Sequence, residues 1–223
     1  MKNKEIIKRI ITSLFLISLL MLTFFYSYIL LILLILISII SWIEFNSLII
    51  KIFDKDKINV NFLRFLIKSL SLIYLTFFSV LIFEGITNNN IKTYTIFLFL
   101  ICIFSDIGGL IFGKIFKGKK LTKISPNKTI SGSIGSFILS LFLVPFFYFI
   151  FDNFYNPFFL IIFTTIISFV CQLGDLFISY LKRKAKVKDT GNLLPGHGGA
   201  LDRIDGMLFA IPVGYLILSI FNI

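Results

Sequence analysis

The sequence has 223 residues, of which 57% are hydrophobic, and its mean hydropathy is +0.98. Water-soluble domains use about 45–50% apolar residues, so this composition excludes that class. Unbroken apolar runs of about the 20 residues needed to cross a bilayer predict an all-α polytopic membrane protein rather than a barrel of alternating strands. The net charge of +11 follows from the enrichment of Lys and Arg in cytoplasmic loops, and we expect no nucleic-acid partner.

Seven transmembrane helices are predicted, with an aromatic turn at 26–28 separating the first two. All 22 bases except Lys92 then fall on one side, which predicts a cytoplasmic N-terminus. One long first helix is the alternative, but it would place the basic loops on opposite sides. The first run is too long for a signal peptide and lacks an Ala-x-Ala site, so we expect a retained anchor. The predicted spans are 10–25, 29–50, 63–83, 93–115, 131–151, 157–181 and 203–221.

Two carboxyl groups with a plausible chemical role, Asp106 and Asp175, lie inside predicted spans, where an ionisable group is costly unless it has a partner or faces a wet cavity. Asp106 precedes Lys114 and Asp175 precedes Lys182, which places the two acids roughly 12 and 10 Å below the cytoplasmic surface. A structural ion pair with a nearby lysine is the alternative interpretation for each. Cys102 and Cys171 lie in apolar runs and are expected to be buried without a disulfide role.

Two more acids open the last predicted span, and one lies in the second. Asp202 and Asp205 are one helical turn apart, with Arg203 beside them. Glu44, in the sequence SWIEF, lacks the polar company of the other acids, so we interpret it as structural.

Helical spacing predicts that the buried acids share faces with polar or small residues. Asp175, Ser179, Lys182 and Arg183 form one stripe. Asp106 shares a face with Gly109 and Gly113, a small-residue surface that allows close helix contact. We therefore expect three carboxylate-bearing helices to meet at a cavity open to the cytoplasmic side.

Carboxylates combined with many bases favour magnesium-dependent chemistry on phosphates. Magnesium prefers oxygen ligands and is often held by one or two carboxylates together with substrate phosphates, while Lys and Arg neutralise the remaining charge. The single histidine excludes a histidine-rich zinc site, and no GxxxxGK[ST] loop is present.

A second basic loop, 113–132, contains a Ser125-Pro126 turn followed by Lys128-Thr129 at the start of a helix. Helix N-termini beside a lysine readily bind phosphate. The alternative is a loop that only fixes topology, but the turn favours a functional role. We expect one membrane domain, in which 1–92 form N-terminal helices and 93–223 form a catalytic region with cytoplasmic loops 113–131 and 182–202.

The segment 179–205 resembles the signature of the phosphatidate cytidylyltransferase family (CDP-diacylglycerol synthases). Resembling residues also occur around Asp106, Ser125 and Asp175, and the resemblance covers about 100–205. The matching signature residues are Ser179, Lys182, Arg183, Lys188, Asp189, Gly191, Leu194, Pro195, Gly196, His197, Gly198, Gly199, Asp202, Arg203 and Asp205.

The resemblance implies a magnesium-dependent, dimeric enzyme of the bacterial inner membrane that joins CTP to phosphatidic acid, giving CDP-diacylglycerol and pyrophosphate. It implies metal binding by Asp175 and Asp202, with Asp205 close by, and leaves a second cation open. Phosphate-handling bases fall on Lys128, Lys182, Arg183, Lys188 and Arg203. Further substrate contacts are expected at Asp106, Ser125, Thr129, Ser179, Gly198 and Gly199.

Three positions qualify this resemblance. Ser131 and Ile178 stand where the family often has glutamate, which removes a possible carboxylate at each. His197 is expected either to contact a phosphate or to fix the glycine-rich turn.

The competing functions are a CTP-dependent polyprenol or dolichol kinase, which the long signature disfavours, and an anion transporter, which would need polar residues in the outer halves of the spans.

Overall fold

The structure, a computed structural model, describes residues 22–23, 26–53, 58–122, 125, 128–150, 156–191 and 198–221. These residues are helical apart from connecting loops and one isolated antiparallel bridge between Lys120 and Thr129. The all-α prediction is confirmed for this part of the chain. The helices are α1 (Ser27–Ile52), α2 (Ile58–Thr87), α3 (Asn89–Phe116), α4 (Ile130–Leu141), α5 (Leu143–Ile150), α6 (Pro157–Lys184) and α7 (Leu201–Ile220).

Within the described residues, six helical stretches are long and apolar enough to cross a bilayer, and the protein is an integral membrane protein. They correspond to the six predicted spans from 29–50 onward. Apart from Leu22 and Thr23, the segment before Tyr26 lies outside the described residues, so the seventh span and the side of the N-terminus stay predictions. The stretches are Ser27–Ile52, Val60–Thr87, Asn89–Phe116, Ile130–Ile150, Pro157–Lys184 and Leu201–Ile220.

Local chemistry explains where several of these helices begin. Tyr26 has extended backbone before α1, so the helix of the predicted span 29–50 begins at Ser27, inside the predicted turn at 26–28. Helix α6 begins with Asn156 as its N-cap, since the Asn156 side-chain oxygen accepts from the Phe158 amide at 2.9 Å. Pro157 follows at the first helical position, where its missing N–H is not needed.

The span predicted as one helix over 131–151 is instead two helical segments, α4 and α5, that meet at Phe142. The physical reason is Pro145, because a proline ring clashes with the carbonyl four residues earlier and removes one helical hydrogen bond. That carbonyl belongs to Leu141, which is the last residue of α4.

The chain is organised as two compact units, each assembled from two separate segments. The first unit draws on Met1–Asn88 and Leu181–Ile204, and the second on Asn89–Tyr180 and Asp205–Ile223. Helices α6 and α7 therefore contribute residues to both units. The predicted division at residue 92 stays a prediction.

In the first unit, α1 packs against α2. Leu34 and Leu48 on α1 and Phe78 on α2 are buried. Two polar contacts also join the helices: the Ser38 and Ser79 hydroxyls lie 2.5 Å apart, and the Trp42 indole donates to the Lys68 carbonyl at 3.0 Å. The opposite face of α2 exposes large apolar side chains, as expected of a helix bordered by lipid.

In the second unit, α3 and α4 cross at very short distance because glycines face each other. A Cβ added to Gly108 would lie 2.3 Å from the Gly135 carbonyl oxygen, and one added to Gly132 would lie 2.7 Å from the Gly109 carbonyl oxygen. A Cβ at Gly113 would lie 3.1 Å from the Thr129 hydroxyl. The predicted close-contact surface at Gly109 and Gly113 is confirmed.

Serine hydroxyls join the same helices to α6 inside the unit. Ser136 donates to the Ser105 carbonyl at 2.7 Å, and the hydroxyls of Ser105 and Ser168 lie 3.0 Å apart. Small residues and interhelical hydrogen bonds are how membrane helices associate when lipid removes the hydrophobic driving force. These contacts fix α6, which carries Asp175.

Replacing Gly135 by alanine is expected to destabilise the protein. The new Cβ would lie 2.3 Å from the Phe112 Cβ, and overpacking of this kind costs about 1–3 kcal/mol, more than the gain of up to about 1 kcal/mol in helix propensity. The measurement is the thermal unfolding midpoint in detergent, with Ile138→Ala on the exposed face of α4 as control. A midpoint for Gly135→Ala at or above that of the unmodified protein would contradict the close helix crossing.

Candidate active site

The lysine-rich loop of the second unit is a hairpin closed by backbone hydrogen bonds. The Leu121 amide donates to the Lys128 carbonyl at 2.8 Å, and the Ile130 amide donates to the Lys119 carbonyl at 2.9 Å. The Ser125 carbonyl accepts from the Lys128 amide at 3.1 Å. The hairpin therefore holds Lys128 directly before α4, as the Ser-Pro-x-Lys-Thr turn predicts.

Thr129 is the N-cap of α4. Its hydroxyl oxygen accepts from the Gly132 amide at 3.1 Å and lies 3.1 Å from the Ser131 hydroxyl, which itself accepts from the Gly118 amide at 3.2 Å. Ser131, one of the departures from the family pattern, thus ties the hairpin to the helix start.

The Lys128 ammonium group forms an ion pair with Asp175 of α6. The Ser179 hydroxyl lies one helical turn along and is 3.4 Å from the other Asp175 oxygen. Asp106 on α3 lies within electrostatic range of both Lys128 and Asp175, and its carboxylate is 4.0 Å from the Cys171 thiol. Lys128, Asp175, Asp106 and Ser179 form what we term the Asp175 cluster, and all four are residues predicted from the sequence.

In the first unit, the chain turns sharply at the end of α6. The Val187 amide donates to the Lys182 carbonyl at 3.0 Å and the Lys186 amide to the Arg183 carbonyl at 3.1 Å. Lys186 has a φ of +57°, so the turn is a Schellman motif with a lysine in the left-handed position. It sends the chain from Lys182 to Thr190.

Asp202, in the first turn of α7, is the centre of a second cluster. One of its oxygens accepts from the Lys182 ammonium at 2.7 Å. The other accepts from the amides of Thr190 at 2.9 Å and Gly199 at 3.2 Å, and lies 3.0 Å from the Thr190 hydroxyl. The bond to Gly199 ties Asp202 to the backbone just before α7. We term Lys182, Thr190, Gly199 and Asp202 the Asp202 cluster.

Gly198 needs to be glycine in this conformation. Its φ is +86°, in the left-handed region, and an added Cβ would lie 3.2 Å from an Asp202 carboxylate oxygen. The glycine therefore allows the backbone to approach the carboxylate.

Glu44 and Thr190 are the participants that sequence reasoning missed. The Glu44 carboxylate accepts three hydrogen bonds from residues 146 to 157 positions away, namely Thr190, Ala200 and Leu201. Two of these donors are backbone amides, which leave no signal in a sequence. The only available signal was a carboxylate inside an apolar helix, which calls for a partner.

The other predicted site residues are not members of the Asp175 cluster or the Asp202 cluster. Arg183, Lys188 and Arg203 have exposed side chains, and Asp205 accepts from the Gly206 amide at 2.8 Å. His197 lies outside the described residues, so its role stays a prediction, as does a cavity common to the three carboxylate-bearing helices.

The carboxylates fit magnesium in the mode that phosphate-transferring sites use. Among the described residues, no group of three or more His, Cys, Asp or Glu side chains could hold a metal ion. Magnesium usually takes one or two carboxylates and completes its shell with water and substrate phosphates. In the described part of the chain one Asp202 oxygen accepts from Lys182 alone, so it retains a lone pair for a cation.

Known proteins resemble this chain over most of its length. Residues 2–221 match the model of a family described as "Cytidylyltransferase family". A protein of Rickettsia bellii is 40% identical over 153 residues, which cover 64% of each chain. A protein of Staphylococcus haemolyticus is 44% identical over 126 residues, or 56% of this chain and 48% of the relative. One of Bacillus subtilis is 40% identical over 131 residues, or 58% and 49%.

All three relatives are named phosphatidate cytidylyltransferase. The chain spans between about half and two thirds of their length. The family match itself covers nearly every residue. The chain therefore belongs to the cytidylyltransferase family, as its signature residues predict.

Proposed function

We propose that the protein transfers CMP from CTP to phosphatidic acid, producing CDP-diacylglycerol and pyrophosphate. The names of the relatives support this substrate pair. The observation that carries the proposal is that two bases of the family resemblance, Lys128 and Lys182, are each held by a carboxylate of that resemblance, Asp175 or Asp202. Such pairs supply both the cations and the oxygen donors that phosphate chemistry requires.

In the proposed reaction, an oxygen of the phosphatidate phosphate forms a bond to the α-phosphorus of CTP. The bond from that phosphorus to the oxygen bridging to the β-phosphate breaks, and its electron pair leaves with pyrophosphate. Transfers of this kind depend mainly on positioning and electrostatic stabilisation. We assign no general base, because the attacking phosphate is already ionised at neutral pH.

Magnesium would neutralise negative charge on the phosphates when bound, and Asp175 and Asp202 are its proposed ligands, with Asp205 nearby on α7. The chain's own cations do the rest. Lys128 and Lys182 bind phosphate oxygens, and their carboxylate partners hold the ammonium groups in place before substrate arrives, which lowers the ordering entropy lost on binding.

The exposed bases have a different proposed role. Arg183, Lys188 and Arg203 attract the polyanionic CTP and bind the phosphates that the two clusters do not reach. Ser125, Thr129, Ser179, Gly198, Gly199 and His197 complete the substrate contacts. We place the protein as a homodimer in the bacterial inner membrane, with its N-terminus and the site on the cytoplasmic side, where CTP is available to a lipid headgroup.

The position of the label transferred from CTP tests the reaction. Membranes containing the protein are expected to move label from α-³²P-CTP, but not from γ-³²P-CTP, into phosphatidate-derived lipid, and EDTA is expected to abolish the transfer until excess magnesium is restored. Membranes without the protein are the control.

Other labelling patterns point to other functions. Transfer of the γ-label to a polyprenol identifies a kinase, and anion uptake into vesicles without labelled lipid identifies a transporter. Either result overturns the proposed function, and full activity in EDTA overturns the magnesium assignment.

A further inference from the structure

Glu44 lies inside the transmembrane helix α1 but is hydrogen-bonded to the segment that leads into α7. Its side chain is buried, and one oxygen accepts from the Ala200 amide at 3.0 Å. The other accepts from the Leu201 amide at 2.9 Å and from the Thr190 hydroxyl at 2.8 Å. The amides at a helix start lack partners within the helix, and the positive end of the helix dipole favours a carboxylate. Glu44 therefore caps α7 from a different helix.

The same carboxylate contacts both sides of the stretch 192–197. A Cβ added to Gly191 would lie 2.3 Å from one Glu44 oxygen, and one added to Gly199 would lie 2.4 Å from the other. Backbone approaches this closely only because both residues are glycine. Gly191 and Gly199 are thus both held against a single side chain.

Thr190 links this anchor to the Asp202 cluster. Its hydroxyl lies 2.8 Å from Glu44 and 3.0 Å from Asp202, and its amide donates to Asp202 at 2.9 Å. The one hydroxyl proton can be donated to only one of the two carboxylates at a time. Because Thr190 contacts both carboxylates, a displacement of Thr190 would also disturb the hydrogen bonding of Asp202, the proposed magnesium ligand.

We propose that Glu44 is a positioning residue for CMP transfer: it fixes the start of α7 at Ala200 and Leu201 and, through Thr190, the orientation of Asp202. This inference rests on the proposed function. Glu44 itself is assigned no contact with either substrate. Residues that orient a metal ligand commonly change activity about 10- to 100-fold when they are replaced.

The test is Glu44→Gln in the full-length protein. In either orientation of the glutamine, its NH₂ group faces the backbone amide of Ala200 or of Leu201, which cannot accept from it, so half of the cap is lost at nearly constant volume. The matched control is Glu84→Gln, which removes the same charge from an exposed position on α2.

Two measurements are made on the folded fraction purified in detergent. Hydrogen exchange of the amides in 198–204 is expected to accelerate in Glu44→Gln and not in Glu84→Gln. The kcat of CMP transfer is expected to fall about 10- to 100-fold, with a smaller change in KM for CTP, whereas Glu84→Gln retains the unmodified kcat.

Thr190→Val is a second test of the positioning role if Glu44→Gln folds poorly. It removes the linking hydroxyl while keeping the side-chain shape, so kcat is again expected to fall. Because the two residues act through one contact, the double variant is expected to lose less than the product of the single losses.

The outcomes separate the two proposals. Unchanged exchange at 198–204 in Glu44→Gln overturns the anchoring, and faster exchange with an unchanged kcat overturns the positioning role. Multiplicative losses in the double variant also contradict the linkage through Thr190. If the unmodified protein transfers no CMP, the proposed function is wrong, and hydrogen exchange alone then tests whether Glu44 anchors the start of α7.

Discussion

Replacing Lys182 by methionine is expected to lower the kcat of CMP transfer by about 100- to 1,000-fold, the cost found when an enzyme loses one preorganised donor that stabilises transition-state charge. The Lys182 ammonium group lies 2.7 Å from Asp202, and both side chains are largely buried, with exposed fractions of 14% and 10%. Lys184→Met removes the same charge from an exposed residue at the same helix end, and we expect it to change kcat little. Steady-state kinetics with labelled CTP measures both variants.

Lys182→Met would also lower activity if the ion pair were purely structural, because Asp202 would lose a charged hydrogen bond that contributes about 1.5–3 kcal/mol to stability. The double variant Lys182→Met/Asp202→Asn separates a structural role from a catalytic one. Replacing both members of a buried pair is often nearly neutral for stability, so the unfolding midpoint is expected to recover while transfer stays lost. If transfer recovers together with stability, the pair is structural and the catalytic assignment is wrong.

The helices could be predicted from composition because a bilayer permits few backbone structures. Every backbone N–H and C=O in lipid must be satisfied within the chain, so an apolar run such as 157–181 has to be a helix, and the structure has Pro157–Lys184. The interruption between α4 and α5 depends on one clash between Pro145 and the preceding turn. A membrane helix can accommodate such a clash by a kink or by a break, and hydropathy does not distinguish the two.

For the site, the sequence singled out the charged residues but not how they pair. Asp175 stood out because an ionisable group is costly in an apolar helix, whereas Lys128, Lys182 and Asp202 stood out through the Ser-Pro-x-Lys-Thr turn and the signature. Which lysine meets which carboxylate depends on helix packing, including the glycine contacts between α3 and α4 that place Lys128 at α6.

The anchor at Glu44 was missed for a different physical reason. Backbone amides of any sequence can donate to a carboxylate, so the contacts of Glu44 with Ala200 and Leu201 require no particular side chain. Only the glycines at 191 and 199, which leave room for the carboxylate, mark the contact. Glycines also serve turns and close backbone packing, so their positions alone do not indicate a carboxylate from another helix.

The Lys128–Asp175 pair supports the second large prediction, in which charge is kept but its position is exchanged. Lys128→Asp/Asp175→Lys retains one acid and one base on the same two elements, so much of the stability lost in either single variant is expected to return. CMP transfer is expected to stay at least about 100-fold below that of the unmodified protein, since the base no longer lies on the hairpin and the carboxylate no longer lies on α6.

The control for this pair is Lys119→Met, which neutralises an exposed lysine on the same hairpin and is expected to retain most of the activity. Lys128→Met is expected to lose it, because the remaining Asp175 carboxylate has neither its ammonium partner nor a phosphate-binding cation beside it. Unfolding midpoints and initial transfer rates, measured on the same preparations, distinguish folding from chemistry. An exchanged pair that restores transfer along with stability would show that this pair serves the fold alone, because a site that binds phosphate through a lysine at 128 cannot bind it equally through an aspartate there.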